Sequence, residues 1–157
     1  MMDRIELVKR LLFERQKAAK QLRRFNETKR EYLPGMALLM REIHFLSAID
    51  PDGTTGTEIA ERLETSLGAV SQVANRLEKE GYITRMKVKE DKRQTLFSLT
   101  ETGKALKEAH DRYDNIGYEN MSRKLSEYSE EDLEYLIEYE KKAGVLYNIT
   151  SKPYEEN

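Results

Sequence analysis

The chain contains no cysteine among its 157 residues. This absence excludes thiol catalysis, redox sensing through a thiol, and zinc sites built on cysteine. Histidine is also scarce: His44 and His110 are the two in the sequence, and no ligand spacing links them. We therefore expect ordinary surface or core histidines here and no metal site.

Several other signals are missing. No apolar run approaches the length of a membrane span, and the N-terminus lacks a secretory signal pattern, so we expect a cytoplasmic protein with no membrane partner. There is no nucleophile elbow, phosphate-binding loop or dinucleotide-binding glycine pattern. The carboxylates are plentiful but spread along helix faces that read as solvated. We expect neither an enzyme nor a bound cofactor.

The whole sequence is 38% hydrophobic and 36% charged, with a net charge of −2. These values favour a single helical domain with long solvated faces. The charge is unevenly distributed: residues 66–93 hold seven basic and four acidic residues, whereas residues 104–157 hold eight basic and 13 acidic ones. Because binding to an anionic polymer depends on the local field, the basic surplus in the central segment matters more than the net charge.

The central segment predicts two short helices joined by a tight turn. The sequence Thr55-Gly56-Thr57-Glu58 has the spacing of a capping box, which marks the start of the first helix. After a turn through Glu64 and Thr65, Ser66 can cap a second helix that runs to Lys79, and Gly81 is a suitable stop. This spacing is typical of a helix-turn-helix.

The second of these helices has two contrasting faces. Val70, Val73, Ala74 and Leu77 recur at helical spacing and form an apolar stripe. The opposite face combines small residues, amides and cations: Gly68, Gln72, Asn75, Arg76 and Lys79. A face with these properties predicts contact with an anionic polymer that has readable edges, such as double-stranded DNA.

Two predicted strands follow, over residues 82–88 and 94–99, and a charged tip at residues 89–93 joins them. Helix, turn, helix and hairpin in this order predict a winged helix. The motifs Arg76-Leu77-Glu78-Lys79-Glu80-Gly81-Tyr82-Ile83 with Arg85, Asp91-Lys92-Arg93 and Leu99-Thr100-Glu101-Thr102-Gly103 stand in this stretch. In order and spacing they resemble the MarR family of bacterial and archaeal transcription regulators.

The resemblance implies one domain over residues 1–157. Its winged helix-turn-helix core would span 36–99, and dimerisation helices would span 3–33 and 103–148. The fold class is then mainly α with a small two-stranded β wing. Apolar periodicity favours one helix from residue 3 to about 32, a break at Pro34-Gly35, and a second helix over 36–49. A helix as long as the first needs a partner for its stripe, which favours a homodimer.

On such a dimer, the two recognition helices would enter successive major grooves of a pseudo-palindrome. We expect Gln72 and Asn75 to reach base edges, with adenine as the favoured partner, and Arg76 to read guanine or hold a phosphate. Gly68 would permit a close backbone approach. Ser66 and Thr57 would contact phosphates together with N–H groups at helix starts. Lys79 completes the predicted set on this helix.

The resemblance adds roles at the wing. It implies that Arg93 enters the minor groove, that Asp91 holds it there, and that Lys89 belongs to the same DNA contact. The alternative is an ordinary charged hairpin tip. Arg85 has two interpretations, because it could pair with Asp91 and fix the wing or reach a phosphate.

The resemblance also implies a small aromatic effector, bound between the dimerisation helices and the winged helix. Nine tyrosines fit this idea, but Tyr113, Tyr135 and Tyr139 fit a core or dimer interface equally well. A regulator that senses a metal through Glu, Asp and His ligands stays open. So does a different class of function, a winged helix that binds proteins; it should expose aromatic or aliphatic anchors on the second helix.

Overall fold

A computed structural model of the protein describes residues 3–88 and 94–145. The fold class is mainly α with a small antiparallel sheet, as predicted. In chain order the elements are α1 (Arg4–Glu27), β1 (Arg30–Leu33), β2 (Met36–Leu38), α2 (Met40–Ser47), β3 (Thr54–Thr55), α3 (Gly56–Arg62), α4 (Leu67–Lys79), β4 (Ile83–Lys87), β5 (Thr95–Leu99), α5 (Glu101–Lys124) and α6 (Glu130–Val145).

The chain divides into two units, Met1–Tyr113 and Asp114–Asn157. The first unit holds α1 to the N-terminal half of α5, and the second holds the rest of α5 and α6. The assignment of residues 1–157 to one domain stays a prediction. In the described parts of the chain, every helix is too short or too polar to cross a membrane.

The prediction of one helix to about residue 32 is wrong beyond Glu27. Thr28 ends α1 with an extended backbone, and its hydroxyl donates to the carbonyl of Arg24 at 2.7 Å. Arg30 donates to the carbonyl of Phe25 at 2.6 Å, and its guanidinium carbon lies 3.5 Å from the centroid of the Phe25 ring. These contacts satisfy carbonyls that the next helical turn would otherwise have used.

The prediction of a helix from Met36 is also wrong, because Met36–Leu38 is a strand. It pairs antiparallel with β1, and Leu33 lies opposite Met36 across the turn at Pro34-Gly35. Proline supplies the fixed φ of the first turn position, and Gly35 has the positive φ of +75° that the second position requires. The signal for a hairpin was thus present as Pro-Gly, but helical periodicity on both sides obscured it.

A short helix, α2, forms the centre of the first unit. Its start is stabilised by Glu42, whose Oε2 accepts from the backbone N–H of Leu39 at 2.8 Å. Its C-terminal carbonyls are satisfied by cations: Lys107 Nζ lies 3.1 Å from Ser47 O and 2.9 Å from Ile49 O. Arg62 donates to Ala48 O at 2.8 Å, so positive charge from two other helices complements the α2 dipole.

The sheet in this unit has one strand more than the predicted wing. Its order is β3-β5-β4, with all neighbours antiparallel. β3 pairs Thr54 with Phe97 and thereby ties the loop after α2 to the wing. The core lies between this sheet and the helices α2, α3, α4 and α5. Its fully buried side chains include Leu38, Ile43, Phe45, Leu46, Ile49, Ile59, Leu77, Ile83 and Leu106.

α5 begins in close contact with Gly81 and Tyr82, which follow the end of α4. The Thr100 hydroxyl accepts from the N–H of Gly103 at 3.1 Å and donates to the carbonyl of Gly81 at 2.7 Å. A Cβ at Gly103 would overlap the carbonyl oxygen of Tyr82, so this position requires glycine. The motif Leu99-Thr100-Glu101-Thr102-Gly103 therefore fixes where α5 leaves the sheet.

In the second unit, α6 starts with a reciprocal cap. Ser129 Oγ accepts from the N–H of Asp132 at 3.1 Å, and the Asp132 carboxylate accepts from the N–H of Ser129 at 2.9 Å. These two bonds lower the pKa of Asp132 below its ordinary value. This cap fixes the start of α6 at Glu130.

Candidate nucleic-acid interface

The first helix of the helix-turn-helix is α3, and its predicted capping box is present. The Thr55 hydroxyl accepts from the N–H of Glu58 at 3.3 Å, and the Glu58 carboxylate accepts from the N–H of Thr55 at 2.8 Å. The bonds that Glu58 accepts from Thr55 hold the pKa of its carboxyl below the ordinary value. The turn that follows places Glu64 at φ +49°, a left-handed conformation that lets the chain reverse towards α4.

The second helix, α4, has both predicted ends. Ser66 caps it, with its hydroxyl accepting from the N–H of Ala69 at 3.2 Å. Gly81 lies just beyond its end with φ +76°. Val70, Ala74 and Leu77 are buried, and α4 packs against α2, α3 and β4. The recognition helix is therefore held on three sides by the core.

The outer face of α4 is the side turned away from this core. Gly68, Gln72, Asn75 and Lys79 are exposed on it, as predicted. Sequence reasoning missed Leu67 and Ser71, which are exposed on the same helix. Leu67 is 58% exposed, whereas most aliphatic side chains of α4 are buried or half-buried. Its position directly after the cap could have identified it as a surface residue.

Arg76 forms an ion pair within the first unit. Its Nη1 lies 3.0 Å from Oε1 of Glu42 on α2. The Glu42 side chain is 3% exposed and the Arg76 side chain 41% exposed, so the carboxylate is buried and the guanidinium bridges core and surface. Sequence reasoning missed Glu42. Its place within the apolar stripe of α2 was the signal, because an acid that is buried needs a partner.

Arg85 on β4 is held by α4 as well. Its Nε lies 2.8 Å from the Glu78 carboxylate, and its Nη2 donates to Oδ1 of Asn75 at 2.8 Å. The guanidinium carbon lies 5.7 Å from the centroid of the buried Phe97 ring. Of the two interpretations of Arg85, fixing the wing fits these contacts, although its partners are Glu78 and Asn75. The predicted partner Asp91 lies outside the described residues.

A groove of about 320 Å³ separates the start of α3 from α4 and the wing. Hydroxyl and amide side chains contribute to its lining: Thr55, Thr57, Ser71, Gln94 and Thr95. Thr57 and Ser66, the two predicted phosphate contacts, are both exposed at helix starts. At the wing, the candidate residues Lys89, Asp91 and Arg93 lie outside the described residues.

The two histidines, unlinked in sequence, are neighbours in space. The ring centroids of His44 and His110 are 5.4 Å apart, and the Tyr32 ring meets His110 edge-on at the same distance. His110 is buried. Over residues 3–88 and 94–145 there is no group of three or more His, Cys, Asp or Glu side chains placed to hold a metal ion.

Comparison with known proteins identifies a family that the chain resembles. The family model described as the MarR family matches residues 39–95. Over 97 residues the chain is 31% identical to the uncharacterized HTH-type transcriptional regulator YhjH of Bacillus subtilis (strain 168). The central segment of the chain is therefore similar to the MarR family of transcription regulators.

The chain matches that relative over 61% of its own length and 55% of the relative's length. It spans less than two thirds of the curated relatives that it matches. The matched family segment contains every candidate DNA contact from Thr57 to Arg93.

Solved structures of the MarR family share the fold. A zinc-responsive MarR family member, ZitR of Lactococcus lactis, superposes with a TM-score of 0.71 at 18% identity, over 90% of this chain and 99% of that one. The S. aureus MepR–DNA complex superposes with a TM-score of 0.58 at 25% identity, over 94% and 100% of the two chains. At 18% identity, the similarity to ZitR shows a shared fold.

Proposed function

We propose that the protein is a homodimeric transcription regulator that binds double-stranded DNA in a sequence-specific manner. The observation that carries this proposal is the outer face of α4. It presents exposed amides, a glycine and a cation on a helix that is capped at its start and packed into the core. Such a face suits the major groove, where base edges offer donors and acceptors. The existence of a DNA complex for the neighbour MepR supports it.

In this proposal α4 enters the major groove with its outer face towards the bases. Gln72 and Asn75 contact base edges, and Gly68 lets the helix approach closely. The exposed Leu67 adds an apolar contact that suits the methyl group of thymine. Ser66 and Thr57 contact phosphates and so fix the register of the helix on the duplex.

The wing follows the adjacent minor groove. Arg93 enters that groove, Asp91 orients it, and Lys89 contacts a neighbouring phosphate, as the family resemblance implies. The pairing of β4 with β5 over residues 83–87 and 95–99 supports this arrangement, because β4 packs against α4 and so places the hairpin beside this helix. The ion pair between Arg76 and Glu42 holds α4 against α2 and so helps to position the outer face.

Dimerisation is supported by the apolar side chains of α1. No residue of this helix is buried in the single chain, although it carries exposed large hydrophobic residues. Ile5 and Leu22 are each at least 60% exposed, and Val8, on the same side of the helix, is 45% exposed. Apolar surface in a long row favours a protein partner. A second copy of the chain is the partner that a pseudo-palindromic DNA site requires.

A small aromatic effector is the last part of the proposal. Its support is an open groove of about 480 Å³ between α1 and α2, whose lining includes the apolar Leu22 and Met40, the cations Arg23 and Arg41, and the acid Glu27. An aromatic acid matches this combination of apolar surface and a surplus of positive charge. Titration with phenolic acids should change the affinity for DNA, whereas unchanged affinity and melting temperature would remove the effector from the proposal.

The test is selection from a randomised pool of double-stranded DNA at near-physiological ionic strength, followed by sequencing. We expect enrichment of an inverted repeat with half-sites about one helical turn apart. Gln72→Ala should weaken binding to the selected site by roughly 1–3 kcal/mol. Gln16→Ala on the exposed surface of α1 is the matched control and should leave binding unchanged.

Two other results would contradict the proposal. Enrichment of no sequence, with weak binding to all DNA, would leave a basic surface without base readout. No binding to DNA would favour the protein-interaction module, for which the exposed Leu67 would then be the anchor.

A further inference from the structure

The contact between Arg85 and Asn75 determines what the recognition helix can read, provided that the proposed DNA-binding function holds. Asn75 lies on the outer face of α4, and its Oδ1 accepts from Arg85 Nη2 at 2.8 Å. Glu78, three residues further along α4, lies 2.8 Å from Nε of the same guanidinium. The planar group thus bridges two side chains on one side of the helix.

The chemistry of this contact fixes the orientation of the amide. A guanidinium has only donors, so the Asn75 atom that faces it has to be the carbonyl oxygen. The amide nitrogen, with its two hydrogens, is consequently turned away from Arg85. An exposed asparagine elsewhere can flip its amide to suit a partner, but here a flip would place N–H groups against N–H groups.

Arg85 is itself firmly held. Its side chain is 30% exposed, and its strand position lies directly opposite Phe97 in the sheet. The Phe97 ring is buried and meets the Phe45 ring edge-on, with centroids 5.6 Å apart. The guanidinium carbon lies 5.7 Å from the Phe97 centroid. The orientation of the Asn75 amide therefore depends on a guanidinium that the core positions.

This geometry differs from the one that reads adenine. An asparagine that reads adenine uses both amide atoms side by side, because adenine offers an acceptor at N7 and a donor at N6. Arg85 uses one of the two lone pairs of Oδ1 and directs this oxygen towards β4, so the group that Asn75 turns outward is the NH₂ donor. Guanine, with acceptors at N7 and O6, and thymine, with an acceptor at O4, are the major-groove edges that suit a donor.

We propose that Asn75, oriented by Arg85, selects guanine or thymine at its base position and disfavours adenine. Asn75 is the contacting residue, and Arg85 is a positioning residue that acts through it. The proposal replaces the expectation from sequence that this asparagine pairs with adenine. It concerns one base position in each half-site and leaves the other contacts of α4 unchanged.

The experiment repeats the DNA selection with defined variants. Asn75→Ala identifies the base position that depends on this side chain, because the preference there is lost. In the wild type we expect guanine or thymine at that position, favoured over adenine by about tenfold. Asn75→Asp keeps an acceptor for Arg85 but turns an acceptor outward, so the preference should move to cytosine, which offers a donor at N4.

A second variant releases the amide without changing Asn75. The double substitution Arg85→Met with Glu78→Gln removes the guanidinium together with its acidic partner. We expect adenine to rise by about tenfold at the identified position. Lys87→Met is the matched control: it removes a cation from the same strand, where Lys87 contacts Thr95, and should leave that base preference unchanged.

Each alternative result is decisive. Adenine at the Asn75-dependent position in the wild type would overturn the inference while leaving the proposed function intact. So would a double variant that binds more weakly with the same base preference, since that is what a purely structural Arg85 would produce. If Asn75→Ala weakens binding to all sequences equally, the amide contacts a phosphate and the inference is wrong. No enrichment by the wild type would overturn the proposed function and the inference together.

Discussion

Glu42 is a buried carboxylate that connects two elements of the first unit. One oxygen accepts from the N–H of Leu39 and so helps to start α2, while the other pairs with Arg76 on the recognition helix. Removing one member of a buried pair leaves the other without compensation, which costs more than the pair itself contributes. The Arg76 side chain is 41% exposed, so water would solvate part of its charge if Glu42 were absent.

We therefore predict that Glu42→Ala lowers the free energy of unfolding by about 2–3 kcal/mol, measured by urea denaturation. Glu42→Gln, which keeps the shape and hydrogen-bonding capacity of the side chain, should lose about half as much. Glu61→Ala is the control, because Glu61 is exposed on α3. A loss below about 0.5 kcal/mol for Glu42→Ala would mean that the pair contributes little to folding.

Two glycines of α5 should respond in opposite directions to the same substitution. Gly103→Ala places a methyl group against the carbonyl of Tyr82 and should destabilise the fold by about 1–3 kcal/mol. Gly117→Ala meets no atom within 4 Å in the chain and should stabilise the helix by about 0.5–1 kcal/mol. Thermal unfolding of both variants measures the difference. Destabilisation by Gly117→Ala would indicate that a partner chain packs closely at that position.

The sequence predicts the roles of single residues better than it predicts which two residues will contact each other. Ser66, Thr55 and Gly81 were predictable because their roles depend on neighbours three or four positions away. The partner of Arg76 was not, since Glu42 lies far away in the sequence and nothing local joins them. The same limit explains why the two interpretations of Arg85 named Asp91 or a phosphate as its partner, whereas the structure shows contacts with Asn75 and Glu78.

Helix caps built on carboxylates give the structure a defined acid sensitivity. The pKa of Glu58 lies below its ordinary value of 4.5, and that of Asp132 lies below 3.8, because each carboxylate accepts bonds at a helix start. A lowered folded pKa contributes stability above the ordinary value and loses it as the pH falls through the folded value. We predict that stability declines as the pH falls below about 4.5 and that Glu58→Gln makes this decline shallower.

Unfolding by urea at a series of pH values between neutral and strongly acidic conditions measures this effect. Asp132→Asn should act on the second unit in the same direction. Glu127→Gln is a suitable control, because this exposed side chain lies between α5 and α6 and contributes to neither cap described above. An identical pH dependence in wild type and Glu58→Gln would contradict the prediction.

Among the elements, those with a start signal and a stop signal were predicted well. α3, α4 and the two wing strands have both kinds of signal, and their positions agree with the structure to within one or two residues. The β1–β2 hairpin was missed because Tyr32, Leu33 and Met36 fit a helical stripe as well as a strand. Arg30, which satisfies the last carbonyls of α1, acts through a side chain that periodicity does not consider.

For the whole molecule, the exposed apolar row on α1 predicts self-association. Val8→Glu places a charge in that row, since Val8 is 45% exposed in the single chain. We expect the sedimentation velocity of wild type to correspond to a dimer and that of Val8→Glu to shift towards a monomer. Lys9→Glu changes the charge on the same helix at an exposed polar position and serves as the control. Equal association of all three proteins would place the interface elsewhere.

The two internal ion pairs also set how strongly DNA binding should respond to salt. Of the seven basic residues between Ser66 and Arg93, Arg76 and Arg85 are neutralised by Glu42 and Glu78, so at most five per chain can displace condensed cations from the duplex. Counterion release then predicts that the logarithm of the binding constant falls with the logarithm of salt concentration with a slope of about 4–5 per chain, instead of about 6. The protein would thus hold its DNA over a wider range of ionic strength than its count of lysines and arginines suggests.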